Sequence, residues 1–204
     1  MAKSKNKNTE VQILNAAKQI FQTKGMDGTR MQEIADKAGI NKALLHYYYR
    51  SKHLLFEAVF KNAFSLLAPQ LSAVLNDDSS IENKIKNFTS NYVSFIIKHP
   101  YLPNFIIQEL NRNPEFILKL KENEDFPNLE KFKIQLTNDI SDGVIKPISA
   151  EQLFINILAL NIFPFVAKPL IMAFTNTDNK SYNQLMENRK TEVSNFIINS
   201  IKYT

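Results

Sequence analysis

The sequence predicts an all-α fold, and three observations carry that expectation. Apolar residues recur at helical spacing along most of the 204-residue chain. No alternating apolar run bounded by Asn-Gly or Asp-Gly marks a strand pair. Glycine and proline divide the chain: Gly25, Gly28 and Gly39 fall within the first 40 residues, while all eight prolines lie from Pro69 onward. Short helices joined by glycine turns are therefore expected first, and longer helices punctuated by proline afterwards.

The first helix is expected to begin at Thr9. Thr9 and Gln12 have capping-box spacing, and Ile13, Leu14, Ala17, Ile20 and Phe21 follow as one apolar stripe. Gly25 ends it by supplying a left-handed residue. Thr29 and Gln32 form a second box, opening a helix with Met31, Ile34, Ala35 and Ala38 inward, and Gly39 ends that one. Asn41 caps a third helix with Ile40, Leu45 and Tyr49 inward. Ser51 caps a fourth that carries Leu54, Leu55, Ala58 and Val59.

Further along, Ile81–Lys98 forms a helix with Ile85, Phe88, Tyr92, Phe95 and Ile96 on one side. Helices are also expected over Tyr101–Asn111, Pro114–Asn123, Pro127–Ser141 and Tyr182–Tyr203. Ser149 with Gln152 opens the apolar run Leu153–Phe174. That run is long enough to span a membrane, but Asn156, Asn161, Lys168, Pro164 and Pro169 favour a buried helix kinked near Pro164.

Charge is distributed unevenly. Residues 1–55 hold ten Lys and Arg against four acids, and the remainder is close to neutral, so the net +5 of the chain lies in its first quarter. A basic end on a neutral body suits nucleic acid or an anionic membrane surface. Cysteine is absent, which removes disulfides, thiolate chemistry and cysteine-ligated metals and fits a reducing compartment. The polar opening MAKSKNKNTE gives no sign of a secretory leader. His46 and His53 stand seven residues apart and are not expected to share a metal with a carboxylate, and no nucleophile elbow, Walker loop or dinucleotide fingerprint occurs. No catalytic residue, metal site or cofactor is expected. A helical enzyme with an unread site and a membrane-surface module stay open as alternatives to a DNA-binding regulator.

Two short helices joined through Gly39-Ile40-Asn41 make a helix-turn-helix pattern. The outward face of the second holds Lys42, Ala43, Leu44, His46, Tyr47 and Tyr48, with no acid and with Lys52 beyond. Lys, Tyr and His donate to phosphate oxygens, while small side chains let a helix approach base edges. Residues 29–55, TRMQEIADKAGINKALLHYYYRSKHLL, resemble the N-terminal signature of TetR-type transcriptional regulators. The resemblance runs through Thr29-Arg30, Ile34-Ala35, Ala38-Gly39-Ile40, Lys42, Leu45, Tyr47, Tyr48-Tyr49 and Ser51-Lys52. Upstream, Ile13-Leu14, Ala16-Ala17, Phe21 and Gly25 fit the first helix of that family. Ala43, Leu44, His46, Tyr48 and Tyr49 depart from the usual residues, and Leu44 favours a thymine methyl over a hydrogen-bonding edge.

The resemblance implies a three-helix DNA-binding domain over 1–52, followed over 53–204 by a larger helical domain for effector binding and dimerisation. It implies a cytoplasmic homodimeric repressor that is released from a palindromic double-stranded DNA operator by a small, largely apolar molecule, with no membrane partner. Thr29, Arg30, Asn41, Lys42, Ala43, Leu44, His46, Tyr47, Tyr48 and Lys52 are the expected DNA-binding residues. Tyr92, Phe95, Tyr101, Phe105, Gln108, Asn156 and Asn161 are the candidates for the effector, because a pocket needs aromatic walls and a few polar groups. The dimer is expected to use faces around Leu153–Phe163 and Val193–Ile201.

Overall fold

The computed structural model describes residues 2–121 and 126–203, without the side chains of residues 2–7, 73 and 119. All regular structure among the described residues is helical. The chain forms two compact units, Met1–Ser65 and Leu66–Thr204.

The first unit holds α1 (Ala2–Lys24), α2 (Met31–Ala38), α3 (Lys42–Tyr48) and the first half of α4 (Lys52–Asn76). Helix α1 starts seven residues before the expected Thr9, because Lys, Asn and Ser tolerate a helix interior and Thr9 is an internal position of it. Gly25 ends it at φ 66°, its N–H donating to the Phe21 carbonyl at 2.9 Å. The core of the unit is Ile13, Ala17, Phe21, Ile34, Ala35, Leu45, Leu55, Phe56 and Val59, all essentially without solvent contact. Phe56 meets Phe21 edge-on, with ring centroids 4.9 Å apart. Leu54 is exposed, while Leu55, Phe56, Val59 and Phe60 form the buried stripe in this part of α4.

The second unit contains the rest of α4, then α5 (Ile81–Lys98), α6 (Leu102–Arg112), α7 (Glu115–Lys121), α8 (Glu130–Ser141), α9 (Ala150–Val166), α10 (Lys168–Thr175) and α11 (Asn179–Ile201). Helix α7 matches the expected Pro114–Asn123 as far as Lys121; residues 122 and 123 lie outside the described residues. Ser80, Ser149 and Asp178 cap α5, α9 and α11 by accepting from the N–H groups of Asn83, Gln152 and Ser181. The most extensive helix pairing of this unit is α5 with α11.

The apolar run over 153–174 is bent by 76°, and the break lies at Ala167 rather than at Pro164. Pro164 stays inside α9 because the structure satisfies the carbonyl that its missing N–H leaves open. The Arg189 guanidinium donates to Leu160 O at 2.7 Å. At the break, Pro164 O loses its own partner four residues on and accepts from the Tyr182 hydroxyl at 2.8 Å. Lys168, the first residue of α10, places its ammonium 4.9 Å from the centre of the Tyr182 ring. Helix α11 thus holds both orphaned carbonyls. Helix α4, and α9 with α10 taken as one bent pair, have the length and composition of membrane-crossing helices. In α4 the first apolar turns are core of the first unit.

Candidate nucleic-acid interface

The turn between α2 and α3 is built by hydrogen bonds that the sequence dictates. Gly39 stands at φ 68°, ψ 31°, a conformation that favours glycine. Its N–H donates to Asp36 O at 3.1 Å and the Ile40 N–H to Ala35 O at 3.0 Å, the two bonds of a Schellman ending. Asn41 then caps α3, its side-chain oxygen accepting from the Leu44 N–H at 2.7 Å. With both ends fixed, Leu45 is driven fully into the core. Burying it stabilises the unit by about 2 kcal/mol and sets the rotation of α3.

That rotation puts Asn41, Lys42, Ala43, Leu44, His46 and Tyr47 on the exposed side, Tyr47 at 76% of its full exposure. Tyr48 is half-buried, with its ring edge-on to Tyr47 at 5.6 Å. No acid lies on α3. Arg50, which was not among the expected residues, is exposed directly after the helix; its position next to the aromatic cluster was the available signal. Tyr49 turns inward enough for its hydroxyl to donate to Glu10 at 3.2 Å. Burial, and then the charge of Glu10, raise its phenol to about 12, so it stays protonated.

The start of α2 differs from the expected capping box by one residue. Arg30 occupies the cap position, and its N–H is accepted by Glu33 at 3.3 Å. Thr29 is buried, its hydroxyl donating to Gly25 O at 2.6 Å, so that oxygen secures the preceding turn. Glu33 also accepts from Lys24 at 2.7 Å, joining α1 to α2, and this bond holds its carboxyl below the usual range. Lys52 donates to Thr29 O at 3.1 Å and reaches Asp27 O at 3.5 Å, so it braces the loop before α2 from the start of α4. Arg30 is exposed.

The effector candidates separate. Tyr92, Phe105 and Asn161 are buried and Phe95 is half-buried, whereas Tyr101, Gln108 and Asn156 are exposed. Asn161 on α9 donates to the Thr89 hydroxyl on α5 at 3.3 Å, one turn from Tyr92. Its remaining donor goes to Ile157 O at 2.8 Å. An open groove of about 600 Å³ lies elsewhere, lined by Thr175, Thr177, Lys180, Ser181, Gln184, Leu185 and Asn188. No group of three or more His, Cys, Asp or Glu able to hold a metal occurs among the described residues.

Residues 13–59 match the family model described as bacterial regulatory proteins, tetR family. Along nearly the whole chain, the sequence is 24% identical to the HTH-type transcriptional regulator RutR of Escherichia coli, covering 93% of this chain and 89% of that protein. Over 103 residues it is 28% identical to IcaR of Staphylococcus aureus, a negative transcriptional regulator of a biofilm operon, covering 50% of this chain and 54% of that one. Among solved structures, a TetR-family transcriptional regulator from Haemophilus influenzae superposes with a TM-score of 0.66 at 15% identity, covering 97% of this chain and 98% of the other.

Proposed function

We propose that the chain, whose residues 13–59 match the tetR family model, is a DNA-binding transcriptional regulator of that family, and that it acts as a homodimeric repressor that an effector releases from a palindromic operator. The observation that carries this reading is the exposed, acid-free face of α3, held by Gly39, Asn41 and Leu45 on a unit whose residues include the chain's basic surplus.

On this reading Ala43 and Leu44 face base edges in the major groove, and Lys42, His46, Tyr47 and Arg30 take phosphates at its rim. Lys52 and Thr29 contribute by fixing the loop before α2. Two copies are needed to read a full palindrome, with recognition helices about 34 Å apart. Apolar side chains that reach the surface of the second unit supply a face for pairing: Ile155 and Phe163 on α9, Leu185 and Phe196 on α11. Val193, Ile197 and Ile201, expected near that face, are buried inside the unit.

The effector enters the second unit among Tyr92, Phe105 and Asn161. Helix α4 is continuous from the first unit into the second, so displacing its second half moves the start of the helix that follows α3. To take the DNA-competent population from 99:1 to 1:99, the effector must prefer the released state by about 5.5 kcal/mol. Apolar burial supplies that if roughly 200 Å² more is covered in the released state.

The test is to sequence DNA fragments retained by the purified protein and measure affinity for the enriched duplex against salt. A palindromic sequence is expected, with log affinity falling linearly as log salt rises. Lys42→Ala should weaken binding to all duplexes alike and reduce the slope by about 1. Retention without any enriched sequence would contradict the reading.

A further inference from the structure

Three buried side-chain atoms among the described residues have no hydrogen-bond partner: Lys84 Nζ, Tyr92 Oη and Asn161 Oδ1. Lys84 faces the Asp77 carboxylate at 3.7 Å, so its charge is answered. The other two belong to one layer between α5 and α9. The amide of Asn161 has a fixed orientation, because its nitrogen donates to Ile157 O at 2.8 Å and turning it over would set two oxygens against each other there. Tyr92 stacks on Phe88, with centroids 5.2 Å apart and planes 29° from parallel, and it lies three residues after Thr89, the α5 residue that Asn161 meets. An unused donor and an unused acceptor thus belong to neighbouring buried residues of the α5–α9 pair, on helices whose Phe88, Val93, Ile96 and Ile157 are also buried.

We propose that Tyr92 and Asn161 form the polar end of the effector site, and that the effector carries a neutral amide-type group on an apolar body. This rests on the reading above that an effector enters the second unit. An N–H of the ligand donates to Asn161 Oδ1, and the adjoining carbonyl accepts from the Tyr92 hydroxyl. A carboxylate would turn a charged oxygen toward the Asn161 oxygen, and an ammonium would leave the Tyr92 hydroxyl without an acceptor. Burial raises the Tyr92 phenol above its ordinary range, so it remains a donor at neutral pH.

Titration calorimetry of the full chain with ε-caprolactam, N-methylcaprolactam and cyclohexanecarboxylate tests this, with operator release by each compound measured in parallel. Caprolactam should bind at least about tenfold more tightly than its N-methyl counterpart, which cannot donate, and the carboxylate should not bind. Asn161→Leu should remove the preference between the two lactams. Tyr92→Phe should weaken both lactams alike by about tenfold, and it decides the matter if the Asn161 variant does not fold. Equal binding of the two lactams, preference for the carboxylate, or no binding by any of the three overturns the assignment. Release of the operator by the carboxylate alone would overturn this ligand class while leaving the effector reading intact.

Discussion

At the scale of single residues, the second unit depends on two side chains of α11 whose roles are invisible in the local sequence. Arg189 and Tyr182 each satisfy a carbonyl that α9 cannot. Removing one partner of a buried hydrogen bond costs about 1–3 kcal/mol, far more than the net value of an exposed one. Tyr182→Phe should therefore lower stability by about 1–3 kcal/mol, and Arg189→Leu by about 1 kcal/mol, since Arg189 is only half-buried. The two losses should couple rather than simply add, because Leu160 O and Pro164 O are one turn apart on α9 and Tyr182 and Arg189 interact electrostatically. Urea denaturation of the full chain gives these values, and shifts below about 0.3 kcal/mol for both would show that the break in α9 needs no support.

At the scale of elements, the α2–α3 turn turns on one backbone conformation. A Cβ on Gly39 would meet nothing within 4 Å, so substitution there changes only the cost of φ 68°. Gly39→Ala should cost about 1 kcal/mol and Gly39→Asn less, because Asn tolerates the left-handed region. Thermal or urea unfolding checks the order, and Ala at least as stable as Asn would contradict it. This turn was legible in the sequence because Gly39 and Asn41 act over four residues, and the periodic stripe of α5 fixed Ile81–Lys98 for the same reason. The break of α9 was not legible. Proline announces a missing N–H, but where a helix yields depends on which carbonyls find distant partners, and Arg189 lies 29 residues from Leu160. The shift from Thr29 to Arg30 at the start of α2 has a similar origin: the Thr29 hydroxyl was taken by Gly25 O, and Glu33 alone completed half a box. Among the effector candidates, aromatic content alone could not separate the buried Phe105 from the exposed Tyr101, four residues earlier at the cap of α6.

For the molecule as a whole, the proposed dimer places Ile155 and Phe163 of α9 beside Leu185 and Phe196 of α11 at its centre. Ile155 and Phe163 lie two turns apart on one side of α9, and each keeps more than half of its surface exposed in the single chain. A charge introduced there would have to be desolvated in the dimer. Phe163→Glu and Phe196→Glu should each give monomers at micromolar concentration by sedimentation, with the buried core unchanged by circular dichroism. Dimers persisting in both variants would place the pairing surface elsewhere. Monomers should also lose most of their affinity for a two-site operator, because each half-site then binds alone.

Whether the exposed face of α3 reads base edges is decided by comparing sequence preference between wild type and Leu44→Gln on a library of duplexes built around the selected operator. Leu44 is partly exposed near the capped start of α3 and offers only an apolar surface to a base pair. Glutamine there would offer a donor and an acceptor instead. A change of preference confined to one base pair, repeated symmetrically in both half-sites and worth about 1–3 kcal/mol, is the predicted result. Identical rankings of every duplex for the two proteins would move the reading surface away from α3.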